Sequence, residues 1–379
     1  MGGRRPRRGQ TWAVIAGGGT GGHVVPAIAI ARALVERGHD PSSIHFVGSR
    51  RGMESTMVPA AGFALTLLPG RGIARRLTWD NVAAVGGLVL AVAQAVVLIG
   101  RLRPSVTVAV GGYASLPAVL ASVLWRVPIV VAEQNAVPGL ANRLAGRFAV
   151  ACAVSFDSTP LPRAVVTGNP VRPEVAAIEG GPDGRLLARA ALGLPPAHFV
   201  VLAAGGSLGA GRINHAVAEL ARRWSDRSGV CIYHVIGRRD FGAVTAARPP
   251  TAALDYRQIE FEERMPLVLA AADVSVQRAG ASTVAELAVV GLPSILVPLP
   301  GAPGDHQTAN ARRLADIGAA VLVPDAQLDA DRLAAELEAL MADPGRRADM
   351  AAASRRVGRP DAANRVAILV ESAVGTRVR

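Results

Sequence analysis

Short apolar runs alternate with helix-like segments along the first part of the chain. The runs lie at Trp12–Ala16, Ile44–Val47, Val106–Val110 and Ile129–Ala132, and a helical spacing of apolar residues follows the first of them until Gly38. Strands that are apolar without interruption are typical of a parallel sheet covered by helices on both faces. The pattern predicts a doubly wound α/β domain.

The same pattern starts again in the second half, where the apolar run Phe199–Ala204 precedes a glycine-rich loop and a helical segment over Ile213–Arg223. This repetition predicts two Rossmann-like doubly wound domains with a ligand cleft between them, at the carboxyl ends of the strands. Gly168-Asn169-Pro170 breaks regular structure near the expected boundary. The expected divisions are a disordered basic arm at 1–10, a first domain at 11–170, a second domain at 171–357, and a C-terminal helix at 358–379 that packs back on the first domain.

A longer apolar run extends from Val82 to Ile99 with arginines on both sides. Its length is close to that of a membrane span, but it contains Gly86, Gly87 and Gln94 and is rich in alanine. It also occupies the place where an α/β unit needs a helix before the strand at Val106. We therefore interpret it as a buried helix of the domain.

The net charge of +12 is unevenly distributed and changes the list of expected partners. Residues 1–170 carry 17 Arg against 6 Asp and Glu, whereas residues 171–379 carry 24 Arg against 23. The first half is therefore expected to meet an anionic membrane surface or a phosphorylated substrate. No motif that reads RNA or DNA accompanies the charge, so nucleic acid is not an expected partner. The two cysteines, Cys152 and Cys231, predict buried thiols in a reducing compartment rather than a disulfide framework.

The first glycine loop, Gly17–Gly22, lies between a predicted strand and a predicted helix. Glycines let backbone N–H groups approach a phosphate, and a helix N-terminus favours negative charge. A dinucleotide oxidoreductase would need a carboxylate after the second strand, but Gly48–Arg51 contains none, and no Gly-Lys-Ser/Thr makes the loop a Walker motif. His23 follows the loop directly and is a candidate proton acceptor, although a lone histidine is often only structural.

The second glycine loop, Gly205–Gly209, fits the G-x-S-x-G pattern of α/β-hydrolases, with Asp273 and His306 in a suitable chain order. The repeated strand, loop and helix favour a second phosphate-binding loop instead, with Ser207 as a donor. Further on, Thr283-x-x-Glu286 fits a helix-capping box, and Glu286 is alternatively a ligand for ribose hydroxyls. The polar pair His306 and Gln307 suits sugar hydroxyls.

Taken together, these motifs resemble the MurG family of N-acetylglucosaminyltransferases over nearly the whole chain. The matching segments, in family order, are GGGTGGH at Gly17–His23, GGY-x-S-x-P at Gly111–Pro117, EQNAVPG at Glu133–Gly139, TGNPVR at Thr167–Arg172, GGS-x-GA at Gly205–Ala210, R-x-GA-x-T-x-x-E at Arg278–Glu286 and HQ-x-x-NA at His306–Ala311. The resemblance implies a GT-B fold and an inverting transfer from UDP-GlcNAc to the muramoyl 4-hydroxyl of undecaprenyl-linked lipid I, which gives lipid II. No cofactor is expected, and no His, Cys or Asp cluster has metal-ligand spacing.

The resemblance also assigns roles by position. Phe261–Met265 would border the uracil, and His23 is the candidate base. The expected donor-binding residues are Arg172, Gly206, Ser207, Ala281, Ser282, Glu286, His306 and Gln307. The expected acceptor-binding residues are Gly19, Thr20, Gly21 and Gly22 for the pyrophosphate and Tyr113, Glu133 and Asn135 for the sugar. The sequence departs from the family at Leu208, where Gln is common, and in the charged character of Phe261–Met265.

An apolar and basic patch, formed by Ile73, Arg75, Arg76, Leu77 and Trp79, predicts peripheral attachment to the cytoplasmic face of the cell membrane. Proteins of cell-wall synthesis are further expected partners. The main alternative is another GT-B glycosyltransferase with a diacylglycerol acceptor, against which EQNAVPG and TGNPVR argue. A Rossmann oxidoreductase is the alternative from a different reaction class.

Overall fold

The computed structural model describes residues 11–50, 52–69, 79–178, 181–206, 210–246 and 252–374. The expected basic arm at 1–10 lies outside these residues. The chain forms two compact units, of which the first holds residues up to Arg172 together with those from Asp361 onwards. The second unit holds Pro173–Pro360.

The first unit is built on a parallel sheet whose strands are mostly buried apolar runs. Its strand order is β3-β2-β1-β4-β5-β6-β7, so the chain reverses direction across the sheet between β1 and β4. Every predicted strand of this half is present, because a strand covered on both faces has to be apolar at each position. The strands are β1 Ala13–Gly17, β2 Ile44–Ser49, β3 Ala64–Leu68, β4 Val106–Gly111, β5 Ile129–Glu133, β6 Ala151–Val154 and β7 Ala164–Val166.

The helices of this unit follow the strands in alternation. They are α1 Gly21–Glu36, α2 Glu54–Ala60, α3 Trp79–Leu102, α4 Ser115–Leu124 and α5 Leu140–Ala145, with a 3₁₀ turn at Pro41–Ser43. The apolar run at Val82–Ile99 lies within α3, so the prediction of a helix is confirmed, but the prediction that it is buried holds for only part of its described side chains. Ala91, Ala95 and Ile99 are buried, whereas Val89 and Val97 are exposed, so the helix is covered on one side only. Among the described residues, no helix is long and apolar enough to cross a membrane.

The second unit repeats the architecture with the strand order β10-β9-β8-β11-β12-β13, all parallel. Its strands are β8 Phe199–Ala204, β9 Val230–Val235, β10 Asp255–Ile259, β11 Val274–Gln277, β12 Ser294–Leu296 and β13 Ala320–Leu322. Its helices are α6 Pro173–Ala176, α7 Pro182–Ala191, α8 Gly211–Arg223, α9 Phe241–Ala246, α10 Met265–Ala271, α11 Ala281–Val290, α12 His306–Ala315, α13 Ala330–Ala342 and α14 Pro344–Val357, with 3₁₀ turns at Pro303–Asp305 and Asp325–Gln327.

The last helix, α15 (Ala362–Ala373), belongs to the first unit. Val366, Ala367 and Val370 are fully buried in the same core as strand β1 and helix α1. Glu371 extends this contact with polar groups, because it accepts from Arg37 at 2.7 Å and lies 3.1 Å from His39 Nε2. The chain thus leaves the first unit at residue 172 and returns to it at 361.

Candidate active site

In the first sheet, the carboxyl ends of β1 and β4 carry two glycine-containing loops that touch through their backbones. The Gly18 N–H donates to the Gly111 carbonyl oxygen at 3.3 Å. Gly112 has φ of 78°, and a Cβ at this position would collide with the Gly18 carbonyl oxygen. Because strand order reverses here, this is the place where open α/β sheets bind ligands. Both loops were singled out in the sequence as candidate binding segments, and the order of strands in the sheet places them next to each other.

His23 lies beside this contact, in the first turn of α1. Its Nδ1 is 3.5 Å from Thr20 Oγ1, and a Cβ added to Gly111 would lie 3.1 Å from its Nε2. The ring therefore lies against the backbone at the end of β4 and is partly exposed. An imidazole in this position can accept a proton from a ligand bound at the carboxyl ends of β1 and β4.

Glu54, which the sequence reasoning did not single out, holds the first glycine loop from behind. Its carboxylate is 1% exposed and accepts the Gly19 N–H at 2.7 Å. It also accepts the Ser49 N–H at 2.7 Å and the Ser49 hydroxyl at 2.8 Å. Of the expected pyrophosphate ligands, Gly19 therefore already donates its N–H within the protein. Gly21 and Gly22 begin α1, where N–H groups have no partner inside the helix.

The expected sugar-binding residues Glu133 and Asn135 lie together, Glu133 as the last residue of β5 and Asn135 two residues further on. Glu133 is buried, and its Oε1 accepts from the Asn135 backbone N–H at 2.9 Å and from the Asn135 side-chain amide at 3.1 Å. Its Oε2 accepts from the Gly139 N–H at 3.1 Å and from Asn142 Nδ2 at 2.9 Å. Four donors satisfy a carboxylate. Glu133 in this arrangement orders the loop that carries Asn135, and Asn142 is a member of the cluster that sequence reasoning missed.

Tyr113, the third residue expected at the acceptor sugar, directly follows Gly112, whose backbone lies against Gly18. Its hydroxyl is buried and has no hydrogen-bond partner among the described residues. Burial raises the pKa of this hydroxyl, which keeps it in its neutral, donating form. A buried hydroxyl without a partner is costly unless a ligand or water completes its hydrogen bonding.

In the second sheet, the order reverses between β8 and β11. Of the candidate donor residues, Gly206 follows β8, whereas Ala281, Ser282 and Glu286 follow β11. His306 and Gln307 come after the next strand, β12. Gly206 follows β8 with φ of 87°, while Ser207 and Leu208 lie outside the described residues. Ala281 and Ser282 form the first turn of α11, and the Ser282 hydroxyl is buried without a hydrogen-bond partner in the described part of the chain. This sheet therefore also presents a helix N-terminus at its switch point, which suits an anionic ligand.

Glu286 lies in the second turn of α11 and is 9% exposed. The capping-box interpretation of Thr283 and Glu286 is wrong. The N-cap of α11 is Gly280, without a side-chain cap hydrogen bond, so Thr283 is already inside the helix. A capping box needs its first residue at the N-cap itself, and the local explanation for Glu286 is therefore removed.

His306 and Gln307 open α12 after a tight turn in which Gly304 and Asp305 have φ of 64° and 50°. His306 Nδ1 lies 2.8 Å from the Pro303 carbonyl oxygen. Since a carbonyl can only accept, Nδ1 carries the proton and neutral His306 presents Nε2 as an acceptor. Gln307 Oε1 accepts the Leu299 N–H at 2.9 Å, which leaves the amide nitrogen as the group that can donate to a ligand.

The segment Phe261–Met265 follows β10, and its charges are largely engaged within the protein. Glu262 has a side chain that is 7% exposed, accepts from the Tyr233 hydroxyl, and receives the Arg264 N–H at 2.7 Å. The Arg238 guanidinium lies 4.8 Å from the centre of the exposed Phe261 ring. Glu262, one of the charged residues that depart from the family pattern, therefore points into the protein. Arg172, another expected donor ligand, is partly buried at the end of the first unit.

A chain of buried polar side chains links α8, β9 and β10, and it was not foreseen from sequence. His234 is fully buried, with Nε2 3.0 Å from Asn214 Oδ1 and Nδ1 3.0 Å from the Tyr256 hydroxyl. Asn214 Nδ2 donates in turn to the Ile236 carbonyl and to Asp240. These contacts connect the first turns of α8 to the loop after β9.

The burial of His234 leads to a prediction about how the free energy of unfolding depends on pH. Burial lowers the pKa of His234 from 6.5 to about 3. The unfolded state therefore binds a proton first, and the free energy of unfolding should fall as pH falls from about 6.5, by up to about 1.4 kcal/mol per pH unit. His234→Gln, which keeps a donor towards Asn214, should flatten this dependence in urea melts between pH 7 and 5. His215→Gln, at an exposed histidine next to Asn214 on α8, is the matched control, and an unchanged slope in His234→Gln would contradict the assignment.

Neither sheet carries a metal centre in the parts of the chain described. No group of three His, Cys, Asp or Glu residues there could hold a metal ion. Both cysteines are buried, and burial raises the pKa of Cys152 to about 11 and of Cys231 to about 12, so neither is a reactive thiolate.

Comparison with known proteins identifies the class. The glycosyltransferase family 28 N-terminal domain matches residues 13–154, and the family 28 C-terminal domain matches residues 200–366. Acinetobacter baumannii MurG has a solved structure that superposes with a TM-score of 0.76 at 28% identity, covering 96% of this chain and 99% of that one. The kitacinnamycin glycosyltransferase, with a TM-score of 0.70 and 18% identity, shows the shared fold. The chain is a family 28 glycosyltransferase of the GT-B fold class.

Curated relatives narrow the family further. The UDP-N-acetylglucosamine--N-acetylmuramyl-(pentapeptide) pyrophosphoryl-undecaprenol N-acetylglucosamine transferase of Desulforudis audaxviator is 38% identical over 376 residues, covering 97% of this chain and 99% of the relative. The protein of the same name from Acidothermus cellulolyticus is 41% identical, covering 96% and 98%. The chain belongs to this family, the MurG family.

Proposed function

We propose that the chain transfers N-acetylglucosamine from UDP-GlcNAc to the muramoyl 4-hydroxyl of undecaprenyl-pyrophosphate-linked lipid I, with inversion, to give lipid II. The observation that carries the proposal is the near-full-length match to relatives named for this transfer. The geometry supports it, because each sheet presents a helix N-terminus at its switch point. Two phosphate-bearing substrates, a nucleotide sugar and a lipid pyrophosphate, suit two such sites.

On the donor side, the second unit would bind UDP-GlcNAc. Glu286, buried in α11 and without a capping role, is suited to accept hydrogen bonds from ribose hydroxyls. The Ser282 hydroxyl and the first turn of α11 can donate to the ligand, and Gly206 with Ser207 and Arg172 would meet the diphosphate. His306 Nε2 as acceptor and the Gln307 amide as donor form a complementary pair for sugar hydroxyls.

On the acceptor side, the first unit would bind the lipid pyrophosphate at Thr20, Gly21 and Gly22 and the muramoyl sugar near Tyr113 and Asn135. As the acceptor oxygen attacks the anomeric carbon, His23 takes its proton, the bond from that carbon to the UDP oxygen breaks, and UDP leaves with the electron pair. Attack from the face opposite UDP inverts the anomeric centre. Helix N-termini near the diphosphate would stabilise the negative charge that develops on UDP.

We also propose that the first unit attaches peripherally to an anionic membrane surface at the cytoplasmic face. The patch expected at Ile73, Arg75, Arg76 and Leu77 lies outside the described residues, and Trp79 begins α3. A described surface adds support. Leu124 and Trp125, at the end of α4, are 65% and 49% exposed, and exposed Arg101 and Arg126 accompany them. Apolar groups that insert at the headgroup level, with arginines beside them, bind anionic lipid without spanning it.

The membrane proposal predicts that Leu124→Glu weakens binding to phosphatidylglycerol vesicles by about tenfold or more, since a buried leucine contributes about 1.5–3 kcal/mol. Co-sedimentation at low and high salt is the measurement. Leu187→Glu, at a leucine that is 73% exposed on the second unit, is the matched control. Equal weakening by both variants, or binding that ignores salt and lipid charge, would refute the placement.

Radiolabelled transfer from UDP-GlcNAc tests the function itself, with a short-chain lipid I analogue and a diacylglycerol offered in parallel. The proposal expects product with the lipid I analogue alone. Product with diacylglycerol alone would keep the donor and overturn the acceptor. A well-folded protein that releases no UDP with either acceptor would overturn the proposed reaction.

A further inference from the structure

Glu54 occupies a space that the surrounding backbone leaves for it. It is the first residue of α2, and its side chain points to the carboxyl ends of β1 and β2. Gly19 follows β1 and Ser49 ends β2, and both donate to its carboxylate. A Cβ at Gly18, Gly48 or Gly52 would collide with Glu54. Glycines on three sides of one buried carboxylate indicate that the loop is shaped around this group.

The carboxylate divides the N–H groups of the loop into two sets. The Gly19 N–H points inward and donates to Glu54 Oε2 at 2.7 Å. The N–H groups of Gly21 and Gly22 belong to the first turn of α1, and no hydrogen bond within the described residues uses them. The outer side of Gly19 is open, and a Cβ at Gly22 would have only Thr20 Oγ1 nearby, at 3.7 Å. There is room for a ligand on that side.

The charges around the loop separate its N–H groups into the same two sets. A carboxylate behind Gly18 and Gly19 disfavours a second anion next to it, whereas the N-terminus of a sixteen-residue helix favours one. An anionic group that approaches the loop is therefore directed away from Gly19 and towards the first turn of α1.

We infer that Glu54 is a positioning residue for the acceptor: by holding the Gly19 N–H, it fixes the loop so that the Gly21 and Gly22 N–H groups meet the diphosphate. The inference rests on the proposed function. It differs from the sequence-based expectation in excluding the Gly19 N–H from the diphosphate contacts and in adding a residue that touches no substrate.

The test is Glu54→Gln, which has nearly the same shape but replaces one acceptor oxygen by an NH₂ group. That NH₂ would face either the Gly19 N–H or the two Ser49 donors, so one set of hydrogen bonds is lost and the loop shifts. We expect kcat/KM for a diphosphate-linked acceptor to fall by about 10- to 100-fold, as misplaced binding groups typically cause. UDP affinity, measured by calorimetry, should stay unchanged.

A second readout separates positioning from general support of the fold. The wild-type protein and each variant are compared on diphosphate-linked and monophosphate-linked acceptors with the same sugar. If Glu54 aligns the donors that read the diphosphate, Glu54→Gln should lose most of the preference for the diphosphate substrate. Equal losses on both substrates, or wild-type-like kcat/KM, would overturn the inference.

Glu371→Gln is the matched control, because it removes a hydrogen-bonded carboxylate of the same unit at the other end of α1. It should lower the melting temperature and leave the diphosphate preference intact. If Glu54→Gln does not fold, Ser49→Ala removes only the hydroxyl donor, and it should lower acceptor kcat/KM by about two- to tenfold with a reduced diphosphate preference. An unchanged preference in Ser49→Ala would then overturn the inference. Failure of wild-type transfer to the lipid acceptor would instead count against the proposed function and is seen before any variant is compared.

Discussion

Replacement of His23 by alanine is expected to lower kcat for sugar transfer by about 10²- to 10⁴-fold, the usual contribution of a general base. The imidazole lies against the backbone of Gly111, at the carboxyl ends of the central strands β1 and β4. A hydroxyl acceptor held there would have no other base in the first turn of α1. UDP affinity should change little, because the expected nucleotide ligands belong to the second unit.

The pH dependence of the rate gives a second measure of the same role. Wild-type kcat should decline on the acid side as the base becomes protonated, and the residual activity of His23→Ala should lack that decline. His45→Ala is the matched control, since His45 is a histidine of the same unit that pairs with Thr66 Oγ1 at 2.8 Å on a neighbouring strand. A His23→Ala enzyme within about threefold of wild type would assign the base elsewhere.

Glu286→Gln is expected to lower kcat/KM for UDP-GlcNAc by about 10- to 100-fold, the loss typical of a hydrogen bond to a charged acceptor. The carboxylate is 9% exposed, and α11 is capped by Gly280 without its help. The melting temperature should therefore change much less than donor use. Steady-state kinetics with varied UDP-GlcNAc, alongside thermal denaturation, measures both quantities.

A modified donor makes the Glu286 assignment specific to the ribose. Wild-type protein should discriminate against 2′-deoxy-UDP-GlcNAc, and Glu286→Gln should lose most of that discrimination. Glu336→Gln serves as the control, because Glu336 lies on α13 of the same unit and pairs with Arg332 at 2.8 Å. Loss of melting temperature with unchanged donor affinity would leave Glu286 a purely structural residue of α11.

The strands and the glycine loops could be predicted from sequence because the reasons for them are local. A strand covered on both faces needs consecutive apolar residues, so the strands at Val106–Val110 and Phe199–Ala204 could be recognised from their sequence. The capping-box prediction failed because it depends on which residue has the extended backbone conformation of an N-cap, and the spacing of residue types does not show this. Thr283 and Glu286 have the spacing of a capping box, but the extended N-cap residue is Gly280.

The partners of buried polar groups were not predictable in the same way. Glu54 and Gly19 are 35 positions apart, and His234 and Asn214 are 20 apart, with no sequence pattern that links either pair. For Glu133, the sequence motif suggested a contact with a sugar. In the structure, all four of its hydrogen-bond donors come from its own loop and α5. Such contacts depend on which loops the sheet order brings together.

Two parallel α/β halves, each with a glycine loop before a helix, follow from the order of residues along this chain, because apolar runs and glycines act through the local backbone. Which N–H groups of the first loop are left for a ligand depends on contacts between segments that are far apart in the chain. The strand order places β1 between β4 and β2, which brings Gly111 to the Gly18 N–H and Glu54 to the Gly19 N–H. These two N–H groups are therefore used inside the protein, while those at the start of α1 remain for a ligand.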